Sequence, residues 1–216
     1  MRINTWDVVS LTVIGLTTGL TALVYERLPE RVATHFDMHG TPNGWMPRTM
    51  AAAFLPIFTM VIWAISRFAY KLVKDEEKRA AAAAPMPLVA ALTTVFMCAI
   101  HCLILRFALV PGGDVTQPLV IIMGAFFVAL GLVLPRVRRN PVVGVRTFWT
   151  ISSPEVWART QRVGGYAMVV GGATGVLLGL VGTTSAFAAA MVVMIGASFV
   201  PVVYSFFAAR AEKGPR

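Results

Sequence analysis

Six stretches of this chain are apolar enough, for long enough, to cross a bilayer as helices, and they limit the fold more than any other feature. They run over residues 8–25, 50–70, 87–110, 119–134, 166–182 and 186–208. A spanning helix needs ~20 mostly apolar residues, because the hydrocarbon core leaves backbone groups no partner outside the helix itself. The fourth stretch is the shortest and stops at Pro135. The strict apolar/polar alternation of a membrane barrel strand is absent. Of the 216 residues only 13% are charged and 57% are hydrophobic, whereas a soluble domain carries about 25% charged residues. The reading is an all-α integral membrane protein, six helices in a bundle. The first stretch is taken as an uncleaved span, since no small-residue cleavage site follows it.

The basic residues then orient the bundle. Arg67, Lys71, Lys74, Lys78 and Arg79 cluster after the second stretch; Arg136, Arg138, Arg139, Arg146, Arg159 and Arg162 after the fourth; Arg210, Lys213 and Arg216 in the tail. The alternate loops hold only Arg27, Arg31 and Arg48 in the first, and none in "VPGGDVTQP" or "TTS". Positive charge resists translocation, so both termini are expected to be cytoplasmic and residues 26–49 extracytoplasmic. The chain divides into a first helical hairpin (1–70), a middle hairpin (71–134), and a cytoplasmic loop (135–165) leading to the last hairpin (to 216). The net charge of +9 is spread in short clusters between apolar runs, which gives no groove for nucleic acid; the bilayer is the expected partner.

Three places offer chemistry. In "THFDMHGTPNGW" (34–45), His35, Asp37 and His39 carry donors that suit Zn²⁺, but Gly40, Pro42 and Gly44 follow at once and no helix can hold the histidines on one face. The favoured reading is a tight turn at Thr41–Gly44, with Trp45 at the depth where the chain re-enters the membrane. In the third stretch, Cys98, His101 and Cys102 share a helical face and Arg106 lies near the outer end; buried polar groups in a span are functional candidates. In the loop 135–165, "SSPEVWARTQR" has the signals of a helix start: Ser152 or Ser153 as cap, Pro154 in the first turn, Glu155 by the positive end. With Val156, Trp157 and Thr160 on one face and Arg159 and Arg162 beside them, it is expected to be a short helix on the inner leaflet, facing lipid or a partner. Gly171, Gly175 and Gly179 form a stripe in the fifth stretch, and Gly15 and Gly19 a shorter one in the first. Such stripes suit close packing within the bundle, with a homo-oligomer as the sharper alternative. No phosphate loop, nucleophile elbow or carboxylate inside a span is found, so neither enzyme nor proton-coupled transporter is favoured, and no cofactor is expected.

Two segments together resemble the SdpI family of bacterial membrane proteins. "LPERVATHFDMHGTPNGWMPR" carries Leu28, Pro29, His35, Phe36, Gly40, Gly44 and Trp45 at the matching positions. "NPVVGVRTFWTISSPEVWARTQRVGG" carries Asn140, Gly144, Arg146, Thr147, Trp149, Thr150, Trp157 and Arg162. Asn43 stands where aspartate is expected and Gln161 where histidine is common. The resemblance implies a multi-pass protein of the bacterial inner membrane that gives immunity to a membrane-depolarising peptide toxin and signals by holding a transcriptional repressor at the membrane. It implies that His35, Phe36, Asp37, Gly40, Asn43, Gly44 and Trp45 face the toxin. It implies that Asn140, Gly144, Arg146, Thr147, Trp149, Glu155, Trp157, Arg159 and Arg162 face the regulator or lipid. The competing readings are a metal-binding protein or membrane enzyme using His35 and Asp37, and a small-solute transporter.

Overall fold

The computed structural model describes residues 3–110 and 112–212; Lys213 and Arg216 of the basic tail lie outside them. Six helices are long and apolar enough to cross a membrane: α1 (Thr5–Val24), α2 (Arg48–Ala69), α4 (Met86–Leu109), α5 (Thr116–Val133), α7 (Pro154–Val181) and α8 (Thr184–Glu212). Two shorter helices, α3 (Glu76–Ala83) and α6 (Phe148–Ser152), lie between them at the end of the bundle that holds both described chain ends. That end carries most of the arginines; the opposite end carries a two-stranded antiparallel sheet, β1 (Arg31–Phe36) and β2 (Pro42–Pro47). The first loop therefore adds a β-hairpin to the helical fold.

The hairpin turns where the sequence did not place it. Gly44 lies inside β2 opposite His35, and the reversal falls at Asp37–Thr41. There the Asp37 carboxylate accepts the amides of His39 (2.8 Å) and Thr41 (2.9 Å), and Gly40 takes a positive φ of 77°. An aspartate that can close on two amides, with a glycine free to turn left-handed, outcompetes the Pro-Asn-Gly signal three residues on.

α1 begins earlier than its apolar run. Asn4 and Asp7 form a reciprocal capping box, each side chain accepting the other's backbone N–H at 2.9 and 3.1 Å, so the helix opens at Thr5. Asp7 thereby enters the span, only 2% exposed, and its carboxylate meets Arg67 Nε of α2 at 3.0 Å. The expectation that no acidic residue enters a span is corrected here.

α7 is a single helix of 28 residues. The short interfacial helix expected to precede the fifth span is its first turns. Gly164 and Gly165 are helical and give neighbours room: a methyl on Gly165 would lie 2.6 Å from Pro135 and 2.7 Å from the Gly131 carbonyl. Val156, Trp157 and Thr160 accordingly pack into the protein and not onto a leaflet, each at most 2% exposed.

The six spans associate as two triplets, α1/α2/α4 and α5/α7/α8, joined chiefly where α4 meets α5. In the second triplet glycine faces glycine: a methyl on Gly124 would meet the Gly172 carbonyl at 2.6 Å, and one on Gly172 the Gly124 carbonyl at 2.5 Å. Gly171 and Gly175 receive Ala197 and Met194 of α8, and Gly179 receives Ile121 of α5. This stripe is consumed inside one chain and offers no free face to a second copy. Gly15 and Gly19 differ, since nothing lies within 4 Å of a methyl added to either.

Candidate functional site

At the hairpin end, β1 and the chain leading into it are anchored by apolar side chains. Leu28 and Val32 are buried with Ala51 of α2 and Leu105 of α4, and Phe36 meets Phe107 of α4 edge-on at 4.7 Å. Beneath the sheet, Thr34 and His35 roof a cavity of about 190 Å³ whose walls include Leu55, Ile100 and Ile104. His35 Nδ1 lies 3.1 Å from Thr34 Oγ1, and Gly44 across the pair leaves the imidazole its space, since a Cβ there would stand 3.0 Å from the Cβ of His35. Gly40 leans on Thr116 at the start of α5. The expected outer residues thus separate into two sets. Phe36 looks toward the helices and His35 borders the cavity beside Gly44 while itself staying exposed, whereas Asn43 and Trp45 alternate outward along β2, Trp45 being 48% exposed. Phe36 and Trp45 do not form one aromatic face.

Asp37 is occupied by the turn. The amide of Thr41 is the largest influence that holds its carboxyl below the usual value, with burial opposing and the amide and charge of His39 assisting. Among the described residues no group of three His, Cys, Asp or Glu side chains is placed to hold a metal ion, so His35, Asp37 and His39 do not converge.

At the arginine-rich end, the signature residues tie the loop 137–150 into a knot. Asn140, 2% exposed, accepts the amides of Val142 and Val143 at 2.8 Å each and donates to the carbonyls of Arg138 (2.8 Å) and Val143 (3.2 Å). All its hydrogen-bonding capacity is spent on the turn. Gly144 has φ 114°, and a Cβ there would lie 2.9 Å from Gln161 and 3.0 Å from Trp157; glycine is required on both counts. Gln161 of α7 grips the backbone of one residue, accepting the Val145 amide at 2.9 Å and donating to the Val145 carbonyl at 3.0 Å. Trp157 donates from Nε1 to the Val137 carbonyl at 2.8 Å. Thr147 and Thr150 cap α6 reciprocally, and Thr147 donates on to Ser205 of α8 at 3.0 Å. Trp149 packs edge-on against Phe206.

Arg146, Glu155, Arg159 and Arg162 remain exposed around this knot, the Arg146 guanidinium donating to the Pro141 carbonyl. Much of the motif is therefore spent on holding the loop to α7 and α8. Gln161 and Ser205 are as central as any residue the sequence singled out; Gln161 drew notice only for departing from the family pattern.

Within the bundle, His101 is 1% exposed and its Nε2 lies 2.9 Å from Thr21 Oγ1 of α1. The Thr21 hydroxyl donates to the Thr17 carbonyl at 2.8 Å. A hydroxyl has one proton, so Nε2 carries the proton of the imidazole and donates to Thr21. Nδ1, on the far side of the ring, has no partner. Arg106 is exposed one turn nearer the hairpin. Both site ends are connected by α4, which supports the hairpin through Leu105 and Phe107. At its other end, Leu88, Val89 and Leu92 of the same helix pack around Val133, Val137 and Trp157.

A family model described as a domain of unknown function, DUF1648, matches residues 12–60, from α1 through the hairpin into α2. The model of the SdpI/YfhL protein family matches residues 136–205, which hold the knot, α7 and most of α8. Comparison with curated proteins and with solved structures gives no match. The two matched segments coincide with the hairpin end and the arginine-rich knot, and with its six spanning helices the chain is a multi-pass integral membrane protein that is similar to the SdpI/YfhL family over residues 136–205, consistent with a bacterial inner membrane.

Proposed function

We propose that this protein is a non-enzymatic receptor that confers immunity to a membrane-active peptide toxin at its hairpin end. The arginine-rich end then faces the cytoplasm and holds a regulator there, as the positive-inside rule requires of the basic loops. The observation that carries the reading is mechanical. One helix, α4, is packed against the hairpin at one end and against Val137 and Trp157 of the knot at the other. A peptide that seats on the outward strand face at Asn43 and Trp45, or enters the cavity under His35, bears on α4. It shifts the knot only to the extent that it binds one arrangement of the bundle better than another. The exposed Arg146, Arg159 and Arg162 provide the charge that an acidic partner surface needs.

The test is membrane potential in a toxin-sensitive bacterium challenged with secreted cationic peptides, with reporter transcription read alongside. Wild type is expected to preserve the potential and Trp45→Ala to lose protection. Arg146→Ala is expected to protect normally while the transcriptional response disappears. If the inserted, abundant protein resists no peptide, the immunity reading falls. If Arg146→Ala leaves transcription intact, regulator docking at this end falls.

A further inference from the structure

Two cavities lie side by side at the arginine-rich end, where α3, the start of α4, the first turn of α1 and the segment after α5 come together. They have volumes of about 390 and 300 Å³ and share Ala81, Ala84 and Arg138 as a common wall. Their linings differ in character. The first carries the charge, with Lys78, Arg138, Arg139 and the single carboxylate of Glu77 set among alanines and Pro154. The second has an apolar floor of Trp6, Leu88 and Val133, with Arg136 and Arg138 on its rim. A basic chamber thus opens into an apolar trough, at the level where α4 begins and α5 ends.

We propose that this pair of cavities is a binding site for one anionic phospholipid of the leaflet at that end. Its phosphate would sit in the basic chamber between Arg138 and Arg139 and one acyl chain would lie along Trp6, Leu88 and Val133. Charge complementarity selects the headgroup: Lys78 is paired with Asp75 at 3.2 Å, and three arginines (Arg136, Arg138, Arg139) then stand against the one carboxylate of Glu77 in the combined lining. Two of the guanidiniums are pre-positioned: Arg136 donates to the Leu132 carbonyl at 2.7 Å and Arg139 to the Ile151 carbonyl at 3.2 Å. Each of those bonds uses one of five N–H groups, which leaves donors for a phosphate. The alanines of α3 and its C-cap keep the space open, because Ala80, Ala81 and Ala84 put only methyls into it. Basic pockets between spanning helices at a membrane surface are a known way to hold anionic headgroups. The site also adjoins the knot, since the Arg138 carbonyl accepts Asn140 and Val133 packs with Trp157, so an occupied site braces that loop.

The experiment is native mass spectrometry of the full-length protein released from nanodiscs containing equal phosphatidylglycerol and phosphatidylcholine. One retained phosphatidylglycerol is expected, at least tenfold preferred over phosphatidylcholine. Arg138→Gln/Arg139→Gln should abolish the preference, and Ala81→Phe, which fills the shared wall without changing charge, should abolish retention. Lys74→Gln/Arg210→Gln removes the same charge elsewhere at that end and should leave both intact. Circular dichroism in phosphatidylcholine discs verifies that each variant is folded. The proposal is overturned if phosphatidylcholine is retained equally, if the distal pair abolishes the preference as fully as the arginine pair does, or if folded Ala81→Phe retains the lipid. It is also overturned if millimolar glycerol phosphate displaces the adduct completely, since the site would then recognise phosphate without the chain.

Discussion

The two helical triplets meet the same demand, association within lipid, by opposite means. In α5/α7/α8 the backbones touch: Gly124 and Gly172, Gly131 and Gly165 face each other at distances that admit no side chain. Packing of this kind rests on van der Waals contact over a large, closely matched surface. In α1/α2/α4 the interface is polar. Asp7, Ser10, Thr17 and Thr21 of α1, Thr59 and Arg67 of α2, and Thr94 and His101 of α4 are all buried there. From Asp7 to Thr21 this seam runs about 21 Å along the helix axis. Hydrogen bonds between helices in a membrane average only about 0.6 kcal/mol, since the separated helices find other partners. The polar triplet, joined by such bonds, is also the one that carries the hairpin. The glycine triplet carries the knot and acts as the frame.

The comparison breaks most sharply at a glycine. Gly172→Val would press its Cβ onto the Gly124 carbonyl and onto Phe127 and Val128, separating α5 from α7 at a cost of about 4 kcal/mol. The expected result is loss of the folded protein in a detergent unfolding titration. Gly15→Val on the polar triplet points into open space and should stay within about 0.5 kcal/mol of wild type. Equal sensitivity at both sites would remove the distinction between the halves. Next in size is Arg67→Met, which leaves the Asp7 carboxylate buried without its ion pair and should cost about 3 kcal/mol. Asp7→Asn/Arg67→Met should recover most of that loss, because the penalty belongs to the unpaired charge; no recovery would mean that Arg67 acts through its contact with Tyr70.

The same contrast explains what could be read from the sequence. Six spans and the glycine stripe of α7 were legible because length, hydropathy and four-residue spacing are local properties. Asp7 was hidden because its place in the span depends on the Asn4 capping box and on an arginine sixty residues away. The turn at Asp37 was misplaced because Pro42–Asn43–Gly44 carries an equally good local signal, and only the pairing of Gly44 with His35 decides against it. The knot residues were visible as a motif, but their role was not. Nothing in the spacing of Gly144 and Gln161 says that the amide of Gln161 holds the backbone of Val145 beside that glycine. The continuity of α7 through Gly164–Gly165 likewise depends on Pro135, Gly131 and Pro201 from other segments.

A smaller effect sharpens the polar side of the comparison. His101 bonds Thr21 through Nε2 but buries Nδ1 without a partner, and Thr21 keeps the Thr17 carbonyl if the imidazole is removed. Deleting a half-satisfied polar group whose partner has another bond can be nearly neutral. His101→Leu should therefore change stability by about 1 kcal/mol or less, in either direction, when measured in the same titration. A loss as large as that of Arg67→Met would show that Nδ1 is satisfied in the membrane and that the seam is better bonded than its geometry implies.

The smallest expected effect lies in the hairpin itself. Asp37 holds the turn by accepting the amides of Thr41 and His39, and its folded pKa is lowered from 3.8. A carboxyl whose folded pKa is depressed contributes its full stabilisation above the unfolded value and loses it as pH falls through the folded one. The turn should thus be insensitive to pH from 7 to about 5 and loosen only below about 4. Hydrogen exchange at the His39 and Thr41 amides, extrapolated to a common pH, measures this directly. Asp37→Asn keeps one acceptor oxygen and should remove the acid-induced loosening while closing the turn more weakly at neutral pH. Loosening between pH 5 and 7 in wild type would overturn this assignment, because it lies above the range in which a carboxylate with a lowered pKa gives up its stabilisation.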